Sequence, residues 1–274
     1  MDFISESQPS DEEKLAEAIL ALEPTNRQRV LRKVIMAALG AIPWVGSLLN
    51  AAQAYKEEGT QIRMDALQRQ WLEEHKIKMQ HLARDLAEVT QKLSGQGQEI
   101  EDRLESAEYL ALVRKAFRAW DNSDTEQKRQ YVRLLIANAG ATLTVPDDLV
   151  RLFLDWLNTY HEAHFMVIRE VYKGPGITRR YIWERIHGKL PQENSSEADL
   201  FKLLIADLSF GHVIRQHRET NMYGQFVKKP SSPKGSSSGT MKSAFDDEEP
   251  YELTELGKKF VHYVFTDIVP KISG

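Results

Sequence analysis

Nineteen consecutive residues, Val34 to Ala52, carry no charge. They read VIMAALGAIPWVGSLLNAA and are interrupted by Gly40, Pro43 and Gly46. Leaving such a stretch in water forfeits about 0.8 kcal/mol for every methylene that could have been buried. The protein itself, a second copy or a lipid surface must therefore cover it. As one straight helix it would span about 28 Å, close to the roughly 30 Å hydrocarbon layer of a bilayer. Arg29, Arg32 and Lys33 stand at its N-terminal edge like a basic flank. Against a permanent span, the stretch is rich in Ala and Gly and holds Ser47 and Asn50. Pro43 cannot donate an intrahelical hydrogen bond and clashes with the preceding turn, which predicts a kink or a helix–turn–helix. Three covers follow: a hairpin buried inside a bundle, a membrane-inserting element exposed on activation, or an oligomer interface. In the latter two, Ile42, Pro43, Trp44, Leu48 and Leu49 carry the activity.

The remainder is ordinary in composition: 36 Lys and Arg against 40 Asp and Glu, net charge −4, no cysteine. That balance excludes a strongly basic nucleic-acid coat. The lack of cysteine removes disulfides, thiolate metal sites and cysteine nucleophiles, and it fits a reducing cytosol. The acidic start, MDFISESQPSDEEK, is unlike a secretory signal. The expected location is cytoplasmic, with membrane association on activation.

Helix signals dominate residues 1–145. Ser10 to Glu13 has capping-box spacing ahead of a short amphipathic helix. After Gln53, Leu72, Met79, Leu82, Leu86, Val89, Leu93, Ile100 and Leu104 make a narrow coiled-coil-like stripe broken by Gly95 and Gly97. An intramolecular helix seam or self-association both satisfy it. Two further helices, around Ala107–Trp120 and Thr125–Ala139, flank a second capping-box pattern at Ser123–Glu126. The predicted organisation is a helical bundle over 1–145, with the apolar hairpin at 34–52 and one long helix, followed by a second domain over 146–274.

In that second domain a helix ends before Gly174-Pro175-Gly176, and a short helix follows Thr178. A third helix, Glu197 to Phe210, has Ser195-Ser196 at its start, with Leu200, Phe201, Leu204 and Leu208 assigned to its inner face. Gly211 closes it, His212–His217 reads as a strand, and Tyr251–Gly257 leads into a final amphipathic helix. Between them lies a Ser/Gly/Pro-rich segment, about 220–250, too polar to offset its ordering entropy and so expected to be flexible. FGHVIRQH and YELTELGKKFV, with Leu253, Thr254 and Gly257 in place, resemble the corresponding parts of winged-helix proteins. The resemblance covers roughly Glu162 to Val264 and implies an α+β winged-helix domain with a long wing; it is specific for fold and not for function. The apolar stretch and the long helix after it resemble the hydrophobic hairpins of α-helical pore-forming toxins and of helical phage-defence proteins.

No phosphate-binding loop, nucleophile elbow or dinucleotide fingerprint is present. His161-Glu-Ala-His164 lacks the spacing of a zinc helix, and no catalytic residue, metal ligand or cofactor is expected. The third helix carries Glu197, Asp199 and Asp207 against Lys202, which repels phosphate. Arg179, Arg180, Arg215, Arg218, Lys228 and Lys229 around it could touch either nucleic-acid phosphates, weakly and salt-sensitively, or a protein partner. The combined expectation is a mostly α-helical, non-enzymatic bacterial protein of defence or toxin type. In it a membrane-active or oligomerising bundle is coupled to a winged-helix sensor or interaction domain, with a protein partner or self-association. A winged-helix transcriptional regulator that dimerises through its N-terminal helices is the alternative.

Overall fold

The computed structural model describes residues 25–58, 66–94, 97–142, 144–218, 221–223, 227 and 243–265. The helix expected after Ser10, together with Lys228 and Lys229, lies outside them. Within them the protein is mostly helical, with eleven helices and one small antiparallel sheet. They divide into two compact units: residues up to Thr159 together with those from Tyr263, and Tyr160–His262.

The first unit opens with α1 (Thr25–Leu39) and α2 (Pro43–Glu58), bent by 96° at the three residues between them. Pro43 sits at the first position of α2, where its missing N–H costs nothing and its fixed φ suits the helix start, so the outcome is a helix–turn–helix. Next come α3 (Ala66–Leu93), α4 (Gln98–Glu105), α5 (Ala107–Asp121), α6 (Glu126–Ala141) and α7 (Asp147–Thr159). α1 packs on α4 and α5, α3 on α6, and α7 on α5 and α6. The sequence placed α7 in the second domain; its side chains Val150, Phe153 and Leu154 are buried in the first unit instead. Leu82, Leu86, Val89, Leu93, Ile100 and Leu104 are all buried, so the stripe is an intramolecular seam along this length. Leu72 and Met79, earlier in α3, are only half-covered. The cap between α5 and α6 is Thr125, whose hydroxyl accepts from the Lys128 N–H at 3.3 Å, and not Ser123, whose hydroxyl donates to the Ala119 carbonyl. Trp71 is surface-exposed and stacked on His75.

One charge sits in the middle of this apolar packing. Asp85 on α3 is fully buried and accepts from Trp120 Nε1 at 2.7 Å on α5 and from Arg133 Nη1 at 2.5 Å on α6. Three helices thus meet at one carboxylate.

The second unit runs α8 (Glu162–Lys173), β1 (Ile177–Thr178), α9 (Arg179–His187), α10 (Ser196–Phe210), β2 (Ile214–Gln216), β3 (Pro250–Leu253) and α11 (Glu255–Phe265), whose last turn is counted with the first unit. The sheet order is β1-β3-β2, antiparallel throughout. Tyr251 stands opposite Ile177 on one side and Gln216 on the other. β1 is two residues long and had no sequence signal. Leu200, assigned to the inner face of α10, is 51% exposed; Ala198, Phe201, Leu204, Ile205 and Leu208 face inward. The acidic end of the presumed flexible segment also folds back. Phe245 is buried, stacked on Phe201 at 5.8 Å and edge-on to Trp183 at 5.3 Å. Ala244 N–H donates to Glu193 at 2.9 Å.

Candidate functional site

In the second unit the last turn of α10, the start of α9 and the strands β2 and β3 line an open cavity of about 470 Å³. Its chemistry follows from how each element ends. α10 stops in a Schellman motif: Val213 N–H donates to the Leu208 carbonyl and His212 N–H to that of Ser209. The residue in the left-handed conformation is His212, at φ 57°, and not the neighbouring glycine. Gly211 serves a different purpose, since a Cβ there would lie 2.0 Å from the Tyr160 hydroxyl. The helix ends at Phe210 with Gly211 as its cap, as the glycine signal indicates, but the left-handed residue beyond it is an imidazole, in a backbone conformation that costs a non-glycine residue on the order of 1 kcal/mol.

β3 then locks against this corner. Thr254 Oγ1 donates to the His212 carbonyl at 2.6 Å and accepts from the Gly257 N–H at 2.9 Å, capping α11. A Cβ on Gly257 would sit 2.1 Å from the Val213 carbonyl oxygen. The Leu253, Thr254, Gly257 pattern in the sequence has this close packing as its physical cause.

Arg179, Arg215 and Arg218 all line the cavity, with Ser209, His212, Gln216 and Tyr251. No lining residue is acidic. Arg179 donates through Nε at 2.9 Å and through Nη2 at 2.7 Å to the Tyr251 hydroxyl, and its guanidinium lies over that ring. Both lone pairs of the phenol oxygen are thereby taken, which leaves its O–H proton to donate. No carboxylate pairs with Arg179 or Arg218 among the described residues. Arg215 is the neutralised member. Its Nε donates to Glu252 at 2.7 Å, across the strands from it, and Glu252 also binds His217 Nδ1 at 2.7 Å. Burial pushes the Glu252 carboxyl up, but the bonds from His217 and Arg215 outweigh it and hold it below the usual carboxylate range. Three further lining residues, Ile205, Ala206 and Ile214, are apolar.

Arg180, adjacent in sequence to Arg179, is turned away and pairs with Glu184 along the exposed face of α9. Six cations named from sequence thus resolve into three at one cavity, one elsewhere, and two, Lys228 and Lys229, outside the described residues. Tyr251, His212 and Gln216 were missed, because only the fold brings them to the arginines. His161 and His164 are not paired toward a ligand: the buried His164 ring accepts from the His161 N–H at 3.1 Å, capping α8, and its Nε2 faces Asp207 at 3.4 Å. Among the described residues no group of three His, Asp or Glu could hold a metal ion.

The apolar segment named from sequence is in the first unit. Ile42 and Leu48 are buried, Trp44 and Leu49 are half-buried, and Pro43 is exposed at the corner. The corner is clasped by polar groups: Trp44 Nε1 donates to Asp121 at 2.7 Å, and Lys78 Nζ reaches the same oxygen at 2.5 Å while lying over the Trp44 ring. On the flank, Arg29 and Lys33 both bind Glu105, and Lys33 holds that carboxyl below its ordinary range. No single helix among the described residues is long and apolar enough to cross a membrane, but residues 28–39 and 43–51 together have the length and composition.

No protein-family model matches the chain, and no curated protein and no solved structure shows significant similarity to it.

Proposed function

We propose that this is a non-enzymatic protein of two parts: a bundle that keeps an apolar helix pair covered until it is released onto a membrane, and a winged-helix module that binds the releasing partner. The observation that carries the reading is the bent α1–α2 pair. It is membrane-compatible in composition, packed inside the bundle, and held at its corner by one carboxylate that receives both an indole and an ammonium. The winged-helix assignment is supported by the order helix, strand, helix, helix, strand, strand, helix and by the β1-β3-β2 sheet. The defence or toxin setting is carried by the resemblance of the apolar pair alone.

A protein partner is favoured over DNA by the outward face of α10. Where a DNA reader would present Arg, Lys, Asn or Gln to base edges, this helix presents Asp199, Leu203 and Phe210, the last 89% exposed. The transcription-regulator reading loses ground on those residues.

Liposome leakage and flotation test the reading on the full-length protein. Wild type at rest is expected to leave vesicles intact. Asp121→Ala, which unclasps the corner, is expected to bind and permeabilise them, and Leu48→Asp added to Asp121→Ala to abolish both effects by placing a charge in the apolar face. If hydrogen exchange shows α1 and α2 opened by Asp121→Ala while vesicles stay intact and unbound, the membrane reading is wrong.

A further inference from the structure

We infer that the arginine-lined cavity of the second unit is a binding site for a small phosphate monoester with an apolar or aromatic body, of about mononucleotide size. The inference goes beyond the membrane reading and does not depend on it. Four observations converge. First, the cavity is concave and about 470 Å³, within the roughly 300–1,000 Å³ range of small-ligand sites. Second, its polar lining carries three arginines and no carboxylate. Arg179 is fixed in place by the tyrosine it grips, so its remaining N–H groups are pre-aimed, and the Tyr251 proton is left to donate beside them. A planar guanidinium held rigid in this way is the preferred partner for a tetrahedral oxyanion. One acid, Glu252, answers Arg215; Arg179 and Arg218 bring two positive charges with no carboxylate among the described residues, the complement of a phosphate monoester dianion.

Third, the lining also includes the apolar Ile205, Ala206 and Ile214, which a bare inorganic anion would leave without a partner. The ligand must carry an apolar body beyond its phosphate. Fourth, His212 lines the cavity in the strained left-handed conformation, one residue after a glycine that does not occupy it. Strain of this kind is found where a side chain is used, and an imidazole N–H can donate to a phosphate oxygen.

Isothermal titration calorimetry on the full-length protein tests this, with adenosine monophosphate and phenyl phosphate as probes, adenosine and inorganic phosphate as their separate halves, and a short DNA duplex as the competing class. The monoesters are expected to bind saturably with one site per chain, inorganic phosphate more weakly, and adenosine not detectably. Arg218→Gln, which breaks no hydrogen bond or ion pair among the described residues, is expected to weaken binding about tenfold or more without moving the melting temperature. Arg179→Gln is expected to weaken it further; should that variant fail to fold, Arg218→Gln alone decides. His212→Gly is expected to raise the melting temperature while lowering affinity, a combination that a purely structural histidine would not give. No saturable heat with either monoester up to about 10 mM, affinity unchanged in Arg218→Gln, or a duplex that binds more tightly than the monoesters would each overturn the assignment. Vesicle leakage reads the first unit and calorimetry the second, so failure of one leaves the other standing.

Discussion

The two units lean on different contacts, although each holds one of the other's kind, Gly140 against Tyr109 in the first and Glu252 between Arg215 and His217 in the second. In the first, separate helices are joined through side chains at a distance from their backbones: Asp85 gathers α3, α5 and α6, Asp121 gathers Trp44 and Lys78, and Glu105 gathers Arg29 and Lys33. In the second, backbone meets backbone or ring at closest approach, at Gly211 under Tyr160 and at Gly257 under the Val213 carbonyl. Charge-held packing fails when a charge loses its partner. Contact-held packing fails when an atom is added. The difference also suits the roles proposed for them, since side-chain clasps can be released by competition, whereas a rigid corner keeps a ligand site in shape.

The sharpest break of this comparison is Asp85→Ala. It leaves the Trp120 N–H without its acceptor and the Arg133 guanidinium with Glu88 alone, and it is expected to cost about 2–4 kcal/mol, read as a lowered urea midpoint. A loss below about 1 kcal/mol would mean the carboxylate is not what joins the three helices. Gly257→Ala comes next. One methyl forced against a backbone carbonyl is expected to destabilise the second unit by about 2–3 kcal/mol, measured by thermal unfolding, with no change in charge. An unchanged melting temperature would show that the corner yields and is not rigid.

The smallest effect is expected from pH. Burial holds the His164 ring below its ordinary value, against a weaker opposite pull from Asp207. The folded state therefore keeps the ring neutral where the unfolded chain, titrating near 6.5, takes up a proton. Below about pH 6.5 the unfolded state binds more protons, so stability falls as pH falls until the folded ring titrates as well. Melting curves of the second unit between about pH 7 and 5 should show this slope, and His164→Gln should flatten it. A slope that survives the substitution would place the proton elsewhere.

How much of this was legible in the sequence depends on whether the signal was local. The uncharged run, the bend at Pro43, the seam along Leu82–Leu104 and most helix limits rest on spacing within one element, and they read correctly. Leu200 did not, because α10 is apolar nearly all round: Leu200, Leu203, Leu204, Ile205, Leu208 and Phe210 leave periodicity no unique inner face. Phe245 was hidden in low-complexity surroundings, although it fills the core between Trp183 and Phe201. Asp85 looked like one more charge on a solvated helix, and only the arrival of Trp120 and Arg133 from later helices makes it the centre of the bundle. The cavity was half visible. The arginines could be named from composition, but which of them converge depends on a strand pairing that spans dozens of residues, and Arg179 and Arg180 are split by a single step of about 100° around α9.

That strand pairing has a consequence for the order in which the molecule can be made. β1 and β2 do not touch each other; each pairs only with β3, which is synthesised last of the three. Until Pro250–Leu253 leaves the ribosome, the second unit has no sheet, its Tyr251 is absent from the arginine cavity, and both earlier strands expose unpaired edges. Closure through such distant contacts is slow relative to helix formation, and the unpaired edges are open to foreign strands in the interval. The unit thus acquires its sheet, its corner and its ligand site in one late step, and a nascent chain stopped before that strand would display arginines without a pocket.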